Sequence, residues 1–98
     1  MAVTLGLVAF LKAQPGKGDD LAAFLRSGRE IAERERGTVT WYAFKVDDTA
    51  YGIFDTFETE DGRAAHLNGE IPQALGKVGP DLLAGDPDIR QVEILAVK

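Results

Sequence analysis

Two side chains of this sequence could move a proton, and both fall within one stretch, "YGIFDTFETEDGRAAHLNG", Tyr51 to Gly69. His66 is the only histidine in the chain. An unperturbed imidazole titrates at about pH 6.5, so a histidine beside a pocket can accept a proton near neutrality. Asp55 stands among Ile53, Phe54 and Phe57 in a run that reads as a buried strand. A carboxylate there is costly unless it is paired or used. Two accounts of Asp55 remain open from the residues alone. It orients His66 or acts as a base, or it pairs structurally with an arginine, Arg63 being the nearest that follows, or across a subunit contact. His66 lies one position off the face formed by Ala64, Leu67 and Ile71, a spacing that predicts a ring at the rim of the core, hydrogen-bonded to a nearby carbonyl.

Other chemistries are excluded by residue type. The chain has no cysteine, which removes disulfides, zinc-thiolate sites, iron–sulfur clusters and a thiol nucleophile. There is no nucleophile elbow, no carboxylate pair at glycosidase spacing and no second histidine for a metal. Asp47 with Asp48 reads as a turn, and Asp86 with Asp88 brackets a proline turn. "QPGKGDD" contains Gly-Lys-Gly but lacks the spacing and hydroxyl residue of a phosphate loop. The net charge is −5, and lysines and arginines are scattered rather than striped, so nucleic acid is not an expected partner. No apolar run reaches membrane length, and the N-terminus lacks the basic start of a signal peptide. No membrane association is expected, and the cytoplasm is the expected location.

The elements that must position these residues follow from length and pattern. Ninety-eight residues, 45% apolar and 28% charged, predict one globular domain over 1–98. Val3 to Ala13 is apolar on both faces, with Val3, Leu5, Leu7, Ala9 and Leu11 on one and Gly6, Val8 and Phe10 on the other, and predicts a doubly covered strand. "QPGKG" turns the chain into a helix over Asp19 to Arg36, with Leu21, Phe24, Leu25, Ile31 and Ala32 on its buried side and Gly37 as its stop. "REIAERER" is its solvated face. "TVTWYAFKV" and "YGIFDTFE" predict a hairpin of strands. Thr59 caps a short helix closed by Asn68-Gly69, and Glu70 to Ala84 continues as a helix that Pro80 must kink or restart. Ile89 to Val97 predicts the last strand.

The order is β-α-β-β-α-β: an α+β, ferredoxin-like domain whose antiparallel sheet carries helices on one face. A sheet with apolar residues on its uncovered face predicts a homodimer formed by sheet-on-sheet packing. Trp41 falls on one sheet face with Val39 and Ala43, while Tyr42 and Phe44 fall on the other, and parity alone does not say which face meets a pocket. Trp41, Tyr42, Phe24 and Tyr51 are candidate walls of a substrate site; core packing also accounts for each.

"PGKGDDLAAFL" followed by "GTVTWYAFKVDDTAYGIFDTFETEDGRAAHLNG" resembles the antibiotic biosynthesis monooxygenase family, small dimeric α/β barrels that include quinol monooxygenases. The resemblance covers nearly the whole chain. It implies oxidation of a small hydrophobic aromatic, a quinol or anthrone, by O2 with no metal, flavin or haem: the deprotonated substrate itself reduces oxygen, inside an apolar pocket that supplies a base and oxyanion hydrogen bonds. On this resemblance His66 is the proton acceptor, Asp55 its orienting partner and the aromatic strand residues the pocket wall. Haem-degrading relatives of the fold carry a late axial histidine and an asparagine on the first strand. Gln73 to Asp81 offers no such histidine, and Val3 to Ala13 no such asparagine. Relatives that isomerise small phosphorylated ketones use a histidine on the same short helix, and His66 suits that role, though no basic cluster suits the phosphate. The third alternative is a dimer that binds a small molecule without turning it over.

Overall fold

In the computed structural model, which describes residues 2–98, the elements are β1 (Leu5–Lys12), α1 (Gly18–Arg34), β2 (Thr38–Lys45), β3 (Ala50–Phe57), α2 (Glu60–Leu67), α3 (Glu70–Leu82) and β4 (Asp88–Glu93). The strands form one antiparallel sheet in the order β2-β3-β1-β4. The architecture is ferredoxin-like, with the second helical region broken at Asn68-Gly69 into α2 and α3. β1 and β3 are central, which is why they carry the apolar run and the buried aspartate.

Register decides which side chains meet the helices. Leu7 pairs with Asp55, Ala9 with Ile53 and Leu11 with Tyr51, so these residues share the helix-covered face. Trp41 pairs with Asp55 and Ala43 with Ile53, which puts Trp41 on that side too. Tyr42 pairs with Phe54 and Phe44 with Gly52 on the open face. The parity question left by the sequence is thereby settled. Leu21 and Leu25 of α1 and Leu75 and Leu82 of α3 close over Leu11, Tyr51 and Ile53 to make the core.

Local sequence explains the joints. Gln14-Pro15-Gly16-Lys17 forms a turn closed by Lys17 N–H donating to the Gln14 carbonyl at 2.9 Å, with Gly16 at φ 78°. Proline second and a left-handed glycine third is the composition such a turn demands. In the β2–β3 hairpin the Asp47 carboxylate accepts from the Thr49 and Ala50 amides at 2.9 Å each. Those donors hold its pKa below the usual carboxylate value. Thr59 caps α2 by accepting from the Gly62 amide at 3.0 Å.

Several boundaries differ from expectation. α1 ends at Arg34, with Glu35 as its extended cap. Gly37 is not a left-handed stop, for only Gly16 and Gly85 have positive φ among the described residues. It is instead a contact point: a Cβ there would lie 2.6 Å from the Gly62 Cα, so α2 rests directly on the turn after α1. α3 runs through Pro80 to Leu82. The proline falls in the last turn, so the ladder it interrupts ends within two residues, and the Gln14 side chain donates to the Pro80 and Leu83 carbonyls at the helix end at 3.0 Å each. β4 ends at Glu93 rather than Val97, and Leu95 and Val97 are exposed.

Because that obstacle at Gly37 is backbone, it cannot rotate away. Gly37→Ala should destabilise the fold by about 1–3 kcal/mol. Thermal unfolding checks this, with a fall of about 4–8 °C expected per kcal/mol for a domain of this size; an unchanged midpoint would mean that α2 does not depend on the contact.

Candidate active site

His66 is buried and turned inward from α2, 6% exposed, with its ring beside Phe57 at a centroid distance of 5.6 Å. It lies between two carboxylates. Nε2 is 2.9 Å from Asp55 Oδ2, and Nδ1 is 2.6 Å from Glu35 Oε1. The carbonyl contact expected for it gives way to a charged one on each nitrogen. Asp55, 1% exposed, reaches the ring from β3. Glu35 reaches it from the end of α1 and also accepts from the Thr38 hydroxyl at 2.8 Å.

Electrostatics at the ring oppose one another. Burial favours loss of the imidazole proton, but hydrogen bonds and charge from Asp55 and Glu35 outweigh it, and the His66 pKa is raised above its ordinary 6.5. The charged form of the ring is thereby favoured, with a carboxylate oxygen facing each nitrogen.

Asp55 is left half-satisfied. Its Oδ1 is buried and has no hydrogen-bond partner. Asp55 and His66 are the only polar members of the wall of a cavity of about 40 Å³, whose other lining residues include Leu7, Ile53, Leu67, Ile71, Leu75 and Ile89. None of the ten lining residues is lysine or arginine, so nothing in the wall would bind a phosphate. A buried carboxylate oxygen without a partner is costly and uncommon.

Arg63, the arginine that might have paired with Asp55, is committed elsewhere. Its guanidinium donates to the Gly6 and Val92 carbonyls at 3.3 and 3.4 Å and pairs with Glu60 at 3.0 Å. The aromatic candidates separate. Trp41 lies on the helix side as the cross-strand partner of Asp55, with its Nε1 buried and unpartnered and its ring against Gly28. Phe24 and Tyr51 belong to the core and are not among the cavity's lining residues. Tyr42, 58% exposed, is on the opposite face of the sheet from the cavity. Glu35 was the residue sequence reasoning missed, hidden in the charged run "REIAERER". The signal was available: an acid at a helix C-terminus opposes the dipole and calls for a cation.

No family model matches the chain, and no curated protein matches it. Solved structures do. The NE2512 protein of unknown function from Nitrosomonas europaea is 44% identical, with 98% of this chain and 93% of that one covered and a TM-score of 0.96. A "putative antibiotic biosynthesis monooxygenase" from the same organism is 16% identical, with 94% and 90% covered and a TM-score of 0.82. One from Caulobacter crescentus, described in the same words, is 21% identical, with 96% and 92% covered and a TM-score of 0.79. The chain belongs to one family with NE2512 and shares the fold of neighbours described as putative antibiotic biosynthesis monooxygenases. Its tie to NE2512 is one of sequence and fold together; its tie to the neighbours named as antibiotic biosynthesis monooxygenases is one of fold. Among the described residues no group of three or more His, Asp or Glu side chains is arranged to hold a metal ion, and no helix is long and apolar enough to cross a membrane.

The raised pKa of His66 makes stability depend on pH with a definite sign. Folding raises the affinity of His66 for its proton, so its contribution is fully present below the unfolded value of 6.5 and is lost as pH rises through the higher folded value. Urea unfolding should show the wild type losing stability as pH rises above about 6.5 more steeply than Asp55→Asn, which removes one of the charges responsible. Equal slopes would mean that the ring is not held charged by Asp55.

Proposed function

We propose that this chain is a monooxygenase that oxidises a small phenolic or quinol-like aromatic with O2, using the substrate as its own reductant. One observation carries this reading: Asp55 lines an apolar cavity, one of its carboxylate oxygens is buried without a partner, and the other is held by His66. Asp55 Oδ1 takes the hydroxyl proton of the substrate. The resulting oxyanion delivers electrons to O2; a C–O bond forms at a ring carbon as that carbon's C–H bond and the O–O bond break, the ring leaves oxidised to a quinone, and the second oxygen atom leaves as water with the two hydrogens that the substrate has lost. Relative to the roles implied by family resemblance, acceptor and orienter change places. Both nitrogens of His66 are occupied, so the imidazolium steadies the carboxylate and Asp55 is the base.

The cavity fits this chemistry in character and must enlarge to fit it in size. Its apolar wall strengthens a charge interaction inside it. A space that holds benzene measures about 150 Å³, against about 40 Å³ here, so a ring enters by displacing the α2–α3 corner at Leu67, Ile71 and Pro72. Trp41 neighbours Asp55 in register, but like Phe24, Tyr42 and Tyr51 it is not among the residues lining the cavity. The absence of a lysine or arginine from the lining favours a neutral substrate over the phosphorylated ketone of an isomerase.

The assembly belongs to the same proposal. Phe10 and Tyr42 are 48% and 58% exposed on the open face, next to Val8, Phe44 and Phe54. A second copy packed sheet to sheet would cover them.

Oxygen uptake with a panel of quinols and no added cofactor tests the chemistry. Asp55→Asn should lower it by about 10²–10⁴-fold with the melting transition retained; undiminished uptake would remove Asp55 from the reaction. Light scattering tests the assembly, with a dimer mass expected for the wild type and a monomer mass for Phe10→Glu. A monomeric wild type would contradict the sheet-to-sheet contact.

A further inference from the structure

Glu35 is on the side of His66 away from Asp55, 2.6 Å from Nδ1, and is not among the residues lining the cavity. We propose that Glu35 is a positioning residue that fixes the imidazole of His66 in its doubly donating form, so that Asp55 keeps a counter-charge on Oδ2 while its Oδ1 stays unpartnered. This deepens the proposed reaction and rests on reading Asp55 as its base.

The argument begins with counting protons. A neutral imidazole has one N–H, and with an acceptor at each nitrogen it would leave one contact as acceptor facing acceptor. Two protons on the ring satisfy both contacts. Glu35 Oε1 already accepts from the Thr38 hydroxyl, which marks it as an acceptor rather than a carboxylic acid donor at that atom. Its position gives a second reason. At the C-terminus of α1 the helix dipole disfavours an acid, and the imidazolium is the cation that offsets this.

The other charged groups around His66 do not duplicate the role. From β3 the ring meets Asp55, and from the end of α1 it meets Glu35. On α2 itself Arg63 is turned to the Gly6 and Val92 carbonyls and to Glu60. At the start of α3 Glu70 pairs with Arg34 at 3.8 Å on the surface. β1 contributes Leu7, the apolar partner of Asp55 in register. Without the charge of Glu35, the ring loses its second proton at lower pH, and Asp55 is left as a charge without a counter-ion beside a dry cavity.

The experiment follows the ring directly and needs no substrate. Nitrogen-15 spectra of histidine-labelled protein should show both ring nitrogens of wild-type His66 protonated at neutral pH, and Glu35→Gln should move loss of the second proton to lower pH, with Glu35→Asp restoring part of the shift. In oxygen uptake with a quinol as probe, the alkaline loss of activity should move to lower pH in Glu35→Gln by the same amount. A wild-type ring with a single proton at neutral pH, or an unchanged titration in Glu35→Gln, would overturn the assignment. If Glu35→Gln does not fold, the wild-type spectrum alone decides. Should the ring titrate as expected while no quinol supports oxygen uptake by the wild type, the reaction fails and the hold of Glu35 on His66 stands.

Discussion

An imidazole buried between two carboxylates, one at each nitrogen, is the constraint on which much of the surrounding structure depends. The three side chains come from separate elements: Asp55 from β3, His66 from α2 and Glu35 from the end of α1. The contacts at 2.9 and 2.6 Å therefore pin the short helix to the sheet on one side and to the α1–β2 turn on the other. α2 has only eight residues, too few to persist as an isolated helix. Its stability comes from what it rests on: the Thr59 cap, the close approach of Gly62 to Gly37, and the charged ring.

Placing three charges in a small interior is costly, and the arrangement limits that cost without abolishing it. A buried ion pair is weak grounds for stability, because desolvation consumes most of the Coulombic gain. Here the charges alternate in sign, and Glu35 keeps partial contact with water, its side chain 18% exposed against 2% for Asp55. The unsatisfied Oδ1 of Asp55 works against stability.

Much of the fold was legible in the sequence, because the signals there are periodic. Apolar residues on both faces of β1, aromatic and β-branched runs in β2 and β3, and the Pro-Gly turn each specify one local answer, and together they specify the ferredoxin-like order. Boundaries were less legible where tertiary contact decides them. Gly37 read as a helix stop and is a packing contact with Gly62, and Pro80 read as a break and is absorbed in the last turn of α3. The site was half legible. Asp55 and His66 stood out because their types conflict with their surroundings. Glu35 did not, since a glutamate in a run of charged residues looks like solvated surface, and only its place at the helix end set it apart. Which aromatic residues face the cavity could not be read from alternation, because both faces of the sheet are apolar.

The account turns on two hydrogens, and neutron diffraction at neutral pH observes them. Density for deuterium on both Nδ1 and Nε2 of His66, with none on Asp55 Oδ2 or Glu35 Oε1, is the expected result. Deuterium on only one ring nitrogen, with the other proton resident on a carboxylate, would contradict the charged arrangement on which the proposed roles of Asp55 and Glu35 depend.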